Sequence, residues 1–191
     1  MQSWFRYLIN NNLLDARDIN KIEYAIESLG LTLLNLFLIL IISRFLGIAG
    51  KTILLIVFIY PLRSYTGGYH AKTRTVCTIL SVISIILCSF IIDKVIFFTS
   101  YYSLFTLVTL IIAILIYRVS PRVSPNKPLT DEEIVNSKNM VGLILILDLV
   151  LYFLFMKIRI VAAAVMVSFG LVYILLVLDK IKSSLRSKEF T

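Results

Sequence analysis

The chain holds one histidine, His70, and a cysteine seven residues after it, Cys77. Histidine takes up and returns a proton near neutral pH, and a thiol that it activates becomes a nucleophile. The stretch around them, Arg63-Ser-Tyr-Thr-Gly67-Gly68-Tyr-His70-Ala71-Lys72-Thr-Arg74-Thr-Val-Cys77, adds a glycine pair and several cations. Geometry sets a condition on this chemistry. On one straight helix over 70–77 the two side chains share a face but stand about 10 Å apart along the axis, whereas proton transfer needs about 3 Å. His70 must therefore lie ahead of the helix and fold back over its start. Gly67 and Gly68 open the backbone paths for that reversal, and Thr73 or Thr75 is a suitable cap. Cys77 then falls in the first helical turn, where the dipole and nearby Lys72 and Arg74 favour the thiolate.

Each of these residues also has a plain structural reading. A lone histidine at a membrane boundary is commonly structural, a glycine pair is commonly a turn, and Arg63 after an apolar run is commonly a topology signal. Their conjunction in one short stretch shifts the balance toward catalysis. Cys88 differs: it lies deeper in an apolar run among Leu and Ile, with no base in view, and reads as inert packing. Two cysteines make no disulfide framework. One histidine with two separated cysteines makes no metal site, so no metal and no cofactor is expected.

The elements that position this stretch follow from composition. Of 191 residues, 59% are hydrophobic and 16% charged, with mean hydropathy +0.94. A soluble domain carries about 25% charged residues, so an ordinary soluble enzyme is excluded, and a disordered chain equally so. The formal net charge of +8 is spread singly or in pairs between apolar runs, which is the distribution of a topology signal and not of a nucleic-acid surface. The first thirty residues lack the early apolar core of a cleavable signal sequence.

Apolar runs occupy about 29–46, 48–62, 75–92, 101–117, 140–156 and 160–178. A spanning helix needs about 17–25 residues. The expected fold is an all-α polytopic membrane protein of about six transmembrane or re-entrant helices. The second run is the weak one, because its uninterrupted part, 52–61, lies between Lys51 and the pair Pro61 and Arg63. It spans if Lys51 snorkels, and otherwise is re-entrant or half-buried. Ahead of the bundle, residues 1–28 form an amphipathic segment: Ile19, Ile22, Ile26 and Leu29 share a helical face, beside Trp4, Phe5, Leu8, Leu13 and Leu14. It either lies in the membrane interface or packs on the end of the bundle. The domain organisation is one membrane-embedded unit over 1–191, with the bundle at 29–178 and a tail at 179–191. With the N-terminus inside, the inside segments hold 14 Lys and Arg and the outside segments 5. That bias puts both termini and the His70 loop in the cytoplasm.

Polar residues within or beside the runs complete the set. Asp148 lies in the middle of the fifth run, where an ionisable group is expensive and functional by default; it either joins helices or orients His70. Ser81, one turn after Cys77, could bond near the thiol or to its own backbone. Asn35 reads as interhelical glue. In the loop over 118–138, Thr130-Asp131-Glu132-Glu133 predicts a capping box and a short helix.

The pattern Arg63-x3-Gly67-Gly68-x-His70-Ala71 with Cys77 resembles the accessory gene regulator B family of bacterial membrane peptidases. The likeness extends to the amphipathic start, the number of apolar runs and the Pro125-Asn126-Lys127-Pro128 loop. The resemblance implies a cell-membrane cysteine endopeptidase of quorum sensing, with Cys77 as nucleophile, His70 as base, and Arg63, Gly67 and Gly68 as the supporting loop. It implies as partner the accessory gene regulator D-type propeptide, whose acidic C-terminal tail is cut away and whose remainder closes to a thiolactone or lactone. It also implies a homodimer. Lys72, Arg74, Arg118, Arg122 and Lys127 are the cations suited to steering the acidic tail. A small membrane transporter or peptide-export subunit without covalent chemistry is the alternative, and a scaffold that recruits a peptide to another protease is a third.

Overall fold

The computed structural model describes residues 16–67, 73–98, 102–122 and 130–188. Among them are six helices and no strand: α1 Ala16–Phe45, α2 Ala49–Thr66, α3 Arg74–Phe98, α4 Tyr102–Val119, α5 Asp131–Leu154 and α6 Arg159–Lys188. This is the all-α architecture that the hydropathy predicts. Thr75–Ile96, Asp131–Leu154 and Arg159–Ser184 are long and apolar enough to cross a membrane, and Leu29–Phe45 and Ser103–Val119 are shorter apolar helices. Leu33, Phe37, Leu87, Leu107, Ile146 and Leu154 all point outward. Such a surface is costly in water and matched to lipid. The protein is an integral membrane protein.

Helix α6 is the centre of the bundle, packing against α2, α3, α4 and α5, while α1 packs on α2 and α3. Its first turns bury Ala162, Ala163 and Ala164, small residues that let neighbouring backbones come close. Phe169, Val172 and Leu176 carry the buried face onward. Between α4 and α5 the same device is used once, where Gly142 lies so near the Tyr117 ring that an added Cβ would stand 3.3 Å from it. Thr106 Oγ1 and Tyr152 Oη join these two helices at 2.9 Å.

The turn from α1 to α2 follows from Gly47, at φ 72°. Its N–H bonds to Arg44 O at 3.2 Å, and the Ile48 N–H bonds to Ser43 O at 2.9 Å. These two bonds satisfy the last carbonyls of α1 in a Schellman motif.

Three segments differ in extent from their sequence reading. The second apolar run does not stop at Pro61: α2 carries this proline inside and continues to Thr66. It runs from Lys51, whose Nζ meets both Asp93 carboxylate oxygens at 2.5 and 2.6 Å, to the opposite end of the bundle at Gly67. Thr52 Oγ1 bonds Ser89 Oγ at 2.9 Å beside that ion pair. The capping box at Thr130 is formed, with Thr130 Oγ1 accepting from the Glu133 N–H and the Glu133 carboxylate from the Thr130 N–H. The helix it starts is not short, however. Nothing between Glu133 and Met140 breaks a helix, and Lys138 lies over the Tyr117 ring at 5.5 Å, so α5 runs unbroken to Leu154. Likewise α1 carries Ile19, Ile22, Ile26 and Leu29 in one helix with the first apolar run. Trp4, Phe5, Leu8, Leu13 and Leu14 lie outside the described residues.

Candidate functional site

The site is built where α2 ends and α3 begins. Gly67 closes α2, its N–H bonding to Arg63 O at 3.2 Å. Its backbone, at φ 70° and ψ −147°, occupies a region that is essentially reserved for glycine. The space is closed as well, since an added Cβ would stand 2.7 Å from Arg122 O. The first glycine of the pair is therefore required twice, by conformation and by close approach. Gly68, His70 and Lys72 lie outside the described residues.

On the other side of the loop, Thr73 starts α3 in the manner the sequence suggests. Its Oγ1 accepts from the Val76 N–H at 3.4 Å, and its carbonyl accepts from the Cys77 N–H at 3.1 Å. The helix carrying Cys77 thus begins at Arg74, and Cys77 sits in its opening turn, half-buried and outside any disulfide. The exposed amide groups of a helix start favour an anion there.

Arg63 supplies a further charge. It stands in the last turn of α2, half-buried. Burial pulls its pKa below the ordinary arginine value, and the neighbouring Cys77 sulfur pushes it the other way. A guanidinium keeps its proton throughout the physiological range. Attraction between the two groups is mutual, so the cation that Cys77 stabilises also favours the Cys77 thiolate. Sequence reasoning placed Arg63 in the supporting loop; packing of α2 beside α3 makes it an electrostatic neighbour of the sulfur.

The remaining candidates fall into distinct places. Ser81 is on α3 one turn beyond Cys77 and half-buried. Cys88 is buried eleven residues on, about 16 Å along the helix. Arg74 is the first residue of α3, its side chain outside the described residues, as is all of Lys127. Arg118 lies exposed in the last turn of α4. Arg122 is engaged: Nε is 3.4 Å from Asp179 Oδ2, and Nη2 donates to Ser183 Oγ at 3.4 Å. Asp148 is buried in α5, seventeen residues past Asp131, about 25 Å along the axis. Its Oδ2 has no hydrogen-bond partner among the described residues. Among the described residues no three of His, Cys, Asp and Glu gather as a metal ion would require.

Sequence reasoning did not single out Asp179 or Asp93. The available signal was the position of each, an acidic residue at the very end of an apolar run, where a cation on a neighbouring helix can reach it.

The family model for Accessory gene regulator B matches residues 1–178. The chain is similar to an AgrB-like protein 2 of Clostridium perfringens (strain 13 / Type A), 27% identical over 116 residues, which are 59% of this chain and 54% of that protein. It is similar also to an AgrB-like protein of Clostridium acetobutylicum, 25% identical over 122 residues, 63% of this chain and 57% of the relative. The chain thus matches little more than half the length of these curated relatives, and both are named for likeness alone. No solved structure matches the chain significantly. With a family match over nearly its whole length, on a helical membrane bundle that carries the Arg63, Gly67 and Cys77 positions at one end, the chain belongs to the accessory gene regulator B family.

Proposed function

We propose that the protein is a membrane cysteine endopeptidase that processes the precursor of a cyclic signalling peptide. The observation that carries this reading is Cys77 in the opening turn of α3 with the Arg63 guanidinium beside it. Both features favour a thiolate, and Cys88, which has neither, makes a contrast within the same helix. Membership of the accessory gene regulator B family supports the same role.

In the proposed reaction His70 takes the Cys77 proton, and Sγ attacks the carbonyl carbon of the peptide bond before the acidic tail. The C–N bond breaks, the tail amine leaves with the proton from the His70 imidazolium, and an acyl-thioester remains on Cys77. A cysteine or serine within the peptide then attacks the thioester. A thiolactone or lactone leaves, and the Cys77 thiol is restored. The thioester retains the reactivity this exchange needs, which a hydrolysed acid would not. Exclusion of water from the acyl-enzyme favours cyclisation over hydrolysis. The 14-to-5 distribution of Lys and Arg supports a cytoplasmic site, and exposed Arg118, with Lys72, Arg74 and Lys127, suits an acidic tail. Action as a homodimer belongs to the same proposal.

The test uses purified protein in lipid vesicles with a candidate propeptide, read by mass spectrometry for tail release and for an acyl adduct on Cys77. Cys77→Ala and His70→Ala abolish processing, and Cys88→Ala retains it. Unimpaired processing by Cys77→Ala overturns the proposal. A transporter or export role then takes its place, for which buried Asp148, its Oδ2 without a hydrogen-bond partner among the described residues, is the specific observation.

A further inference from the structure

Three contacts converge on Arg122, just beyond the end of α4. Its N–H bonds to the carbonyl of fully buried Thr66, the last residue of α2, at 3.0 Å. Its carbonyl oxygen occupies the space that a Cβ on Gly67 would need. Its guanidinium reaches the far end of α6, where Asp179 and Ser183 lie. Ser183 Oγ donates to Lys180 O at 2.8 Å, which orients its lone pairs to accept from Arg122. The Nε atom is sealed from solvent and lies outside hydrogen-bonding geometry with the carboxylate, so Asp179 at 3.4 Å, in a pair whose side chains are 26% and 25% exposed, compensates it by charge alone. A guanidinium so committed is poorly placed to receive a peptide. Loss of Asp179 would leave it uncompensated and release the segment it anchors.

We propose that the Arg122–Asp179 pair is a latch that holds the chain after α4 on the end of α2, and so positions Thr66 and Gly67 at the end of the helix that carries Arg63. This rests on the peptidase reading above. Arg122 and Asp179 are positioning residues for the reaction, acting through the backbone of Thr66 and Gly67, and Arg122 is not a receptor for the acidic tail of the substrate.

The test is a double-mutant cycle in the same vesicle assay with the candidate propeptide, using Arg122→Gln, Asp179→Asn and the two together. Displacement of catalytic groups by an ångström can cost about a hundredfold in rate; for a loop held also by Gly67, each single change should lower kcat about tenfold. KM should stay within about twofold, the signature of lost positioning and not of lost binding. Because both changes open one contact, the double variant falls no further than either single one. Asp179→Glu, which keeps the carboxylate, retains most of the activity. Arg122→Lys keeps the charge but loses the planar fork toward Ser183. It covers the case in which the neutral variants fail to fold, with kcat reduced about threefold at constant KM.

A raised KM in Arg122→Gln with normal kcat in Asp179→Asn overturns the latch in favour of tail binding. Losses that multiply in the double variant overturn it as well. Cys77→Ala run alongside separates the two readings: continued processing there removes the peptidase, whereas unchanged kcat in both latch variants beside an inactive Cys77→Ala removes the latch alone.

Discussion

Two glycines end helices at nearly the same φ, Gly47 at 72° and Gly67 at 70°, and their surroundings share almost nothing. Gly47 sits in open space, with nothing within 4 Å of the position a Cβ would take; it serves only to satisfy the end of α1. Gly67 is pressed against the backbone of Arg122 and leads into the loop before Cys77. The ion pairs at the two ends of the bundle differ in the same sense. Lys51 and Asp93 join adjacent helices, with side chains 25% and 49% exposed. Arg122 and Asp179 join a loop to the central helix; the cation is as exposed as Lys51, but the carboxylate is only 25% exposed and the Nε atom of Arg122 is fully covered. One end of the molecule is a fastening between neighbours, whereas the other joins three elements beside the glycine turn that precedes Cys77.

The largest effect is therefore expected from the glycines. Gly67→Ala must move the Arg122 carbonyl or distort the loop, and processing should fall about a hundredfold while the helical circular dichroism remains. Gly47→Ala carries only the left-handed strain of alanine, about 1–2 kcal/mol, with unchanged turnover of the folded protein. Equal kinetic losses in the two variants would erase the distinction between the ends.

A smaller effect is expected at Arg63. Its guanidinium favours the anionic form of Cys77, so Arg63→Gln raises the pH at which the thiol ionises. Alkylation of Cys77 by iodoacetamide at pH 7 should slow, with the midpoint of its pH profile displaced upward. Arg118→Gln, a change at an exposed cation, should leave both quantities as they are. An unshifted profile in Arg63→Gln would detach Arg63 from the sulfur.

The smallest effect belongs to the other end. Lys51→Met or Asp93→Asn should cost no more than about 1 kcal/mol, because a pair this exposed is screened by solvent, and kcat should be unaltered. A kinetic defect there would show that the fastening end also shapes the site.

Much of the bundle was legible from local pattern. The apolar runs mark the helices, Thr130 and Glu133 mark the start of α5, and Thr73 marks the start of α3. What misled were boundaries. Pro61 removes one hydrogen bond, yet packing of Leu55, Phe58, Ile59 and Leu62 into the core carries α2 through it to Thr66. The polar residues between Glu133 and Met140 read as the end of a short helix because they are hydrophilic, but none breaks one, and Lys138 finds the face of Tyr117. At the site, Cys77 and the glycines were visible through residue type and spacing. Arg122 was grouped with the substrate-steering cations because sequence displays its charge and conceals its partner.

The sequence by itself determined that this protein lives in a membrane, that it is helical, and that a cysteine opens one of its helices behind a glycine turn. Those properties depend on composition and on spacing within a few residues. Only the tertiary structure decided that Arg63 comes within electrostatic reach of Cys77, that Gly67 has no room for a side chain, and that Arg122 meets Ser183, 61 residues along the chain. Such meetings depend on how α6 packs among its neighbours, and no local periodicity encodes the distance between residues on different helices.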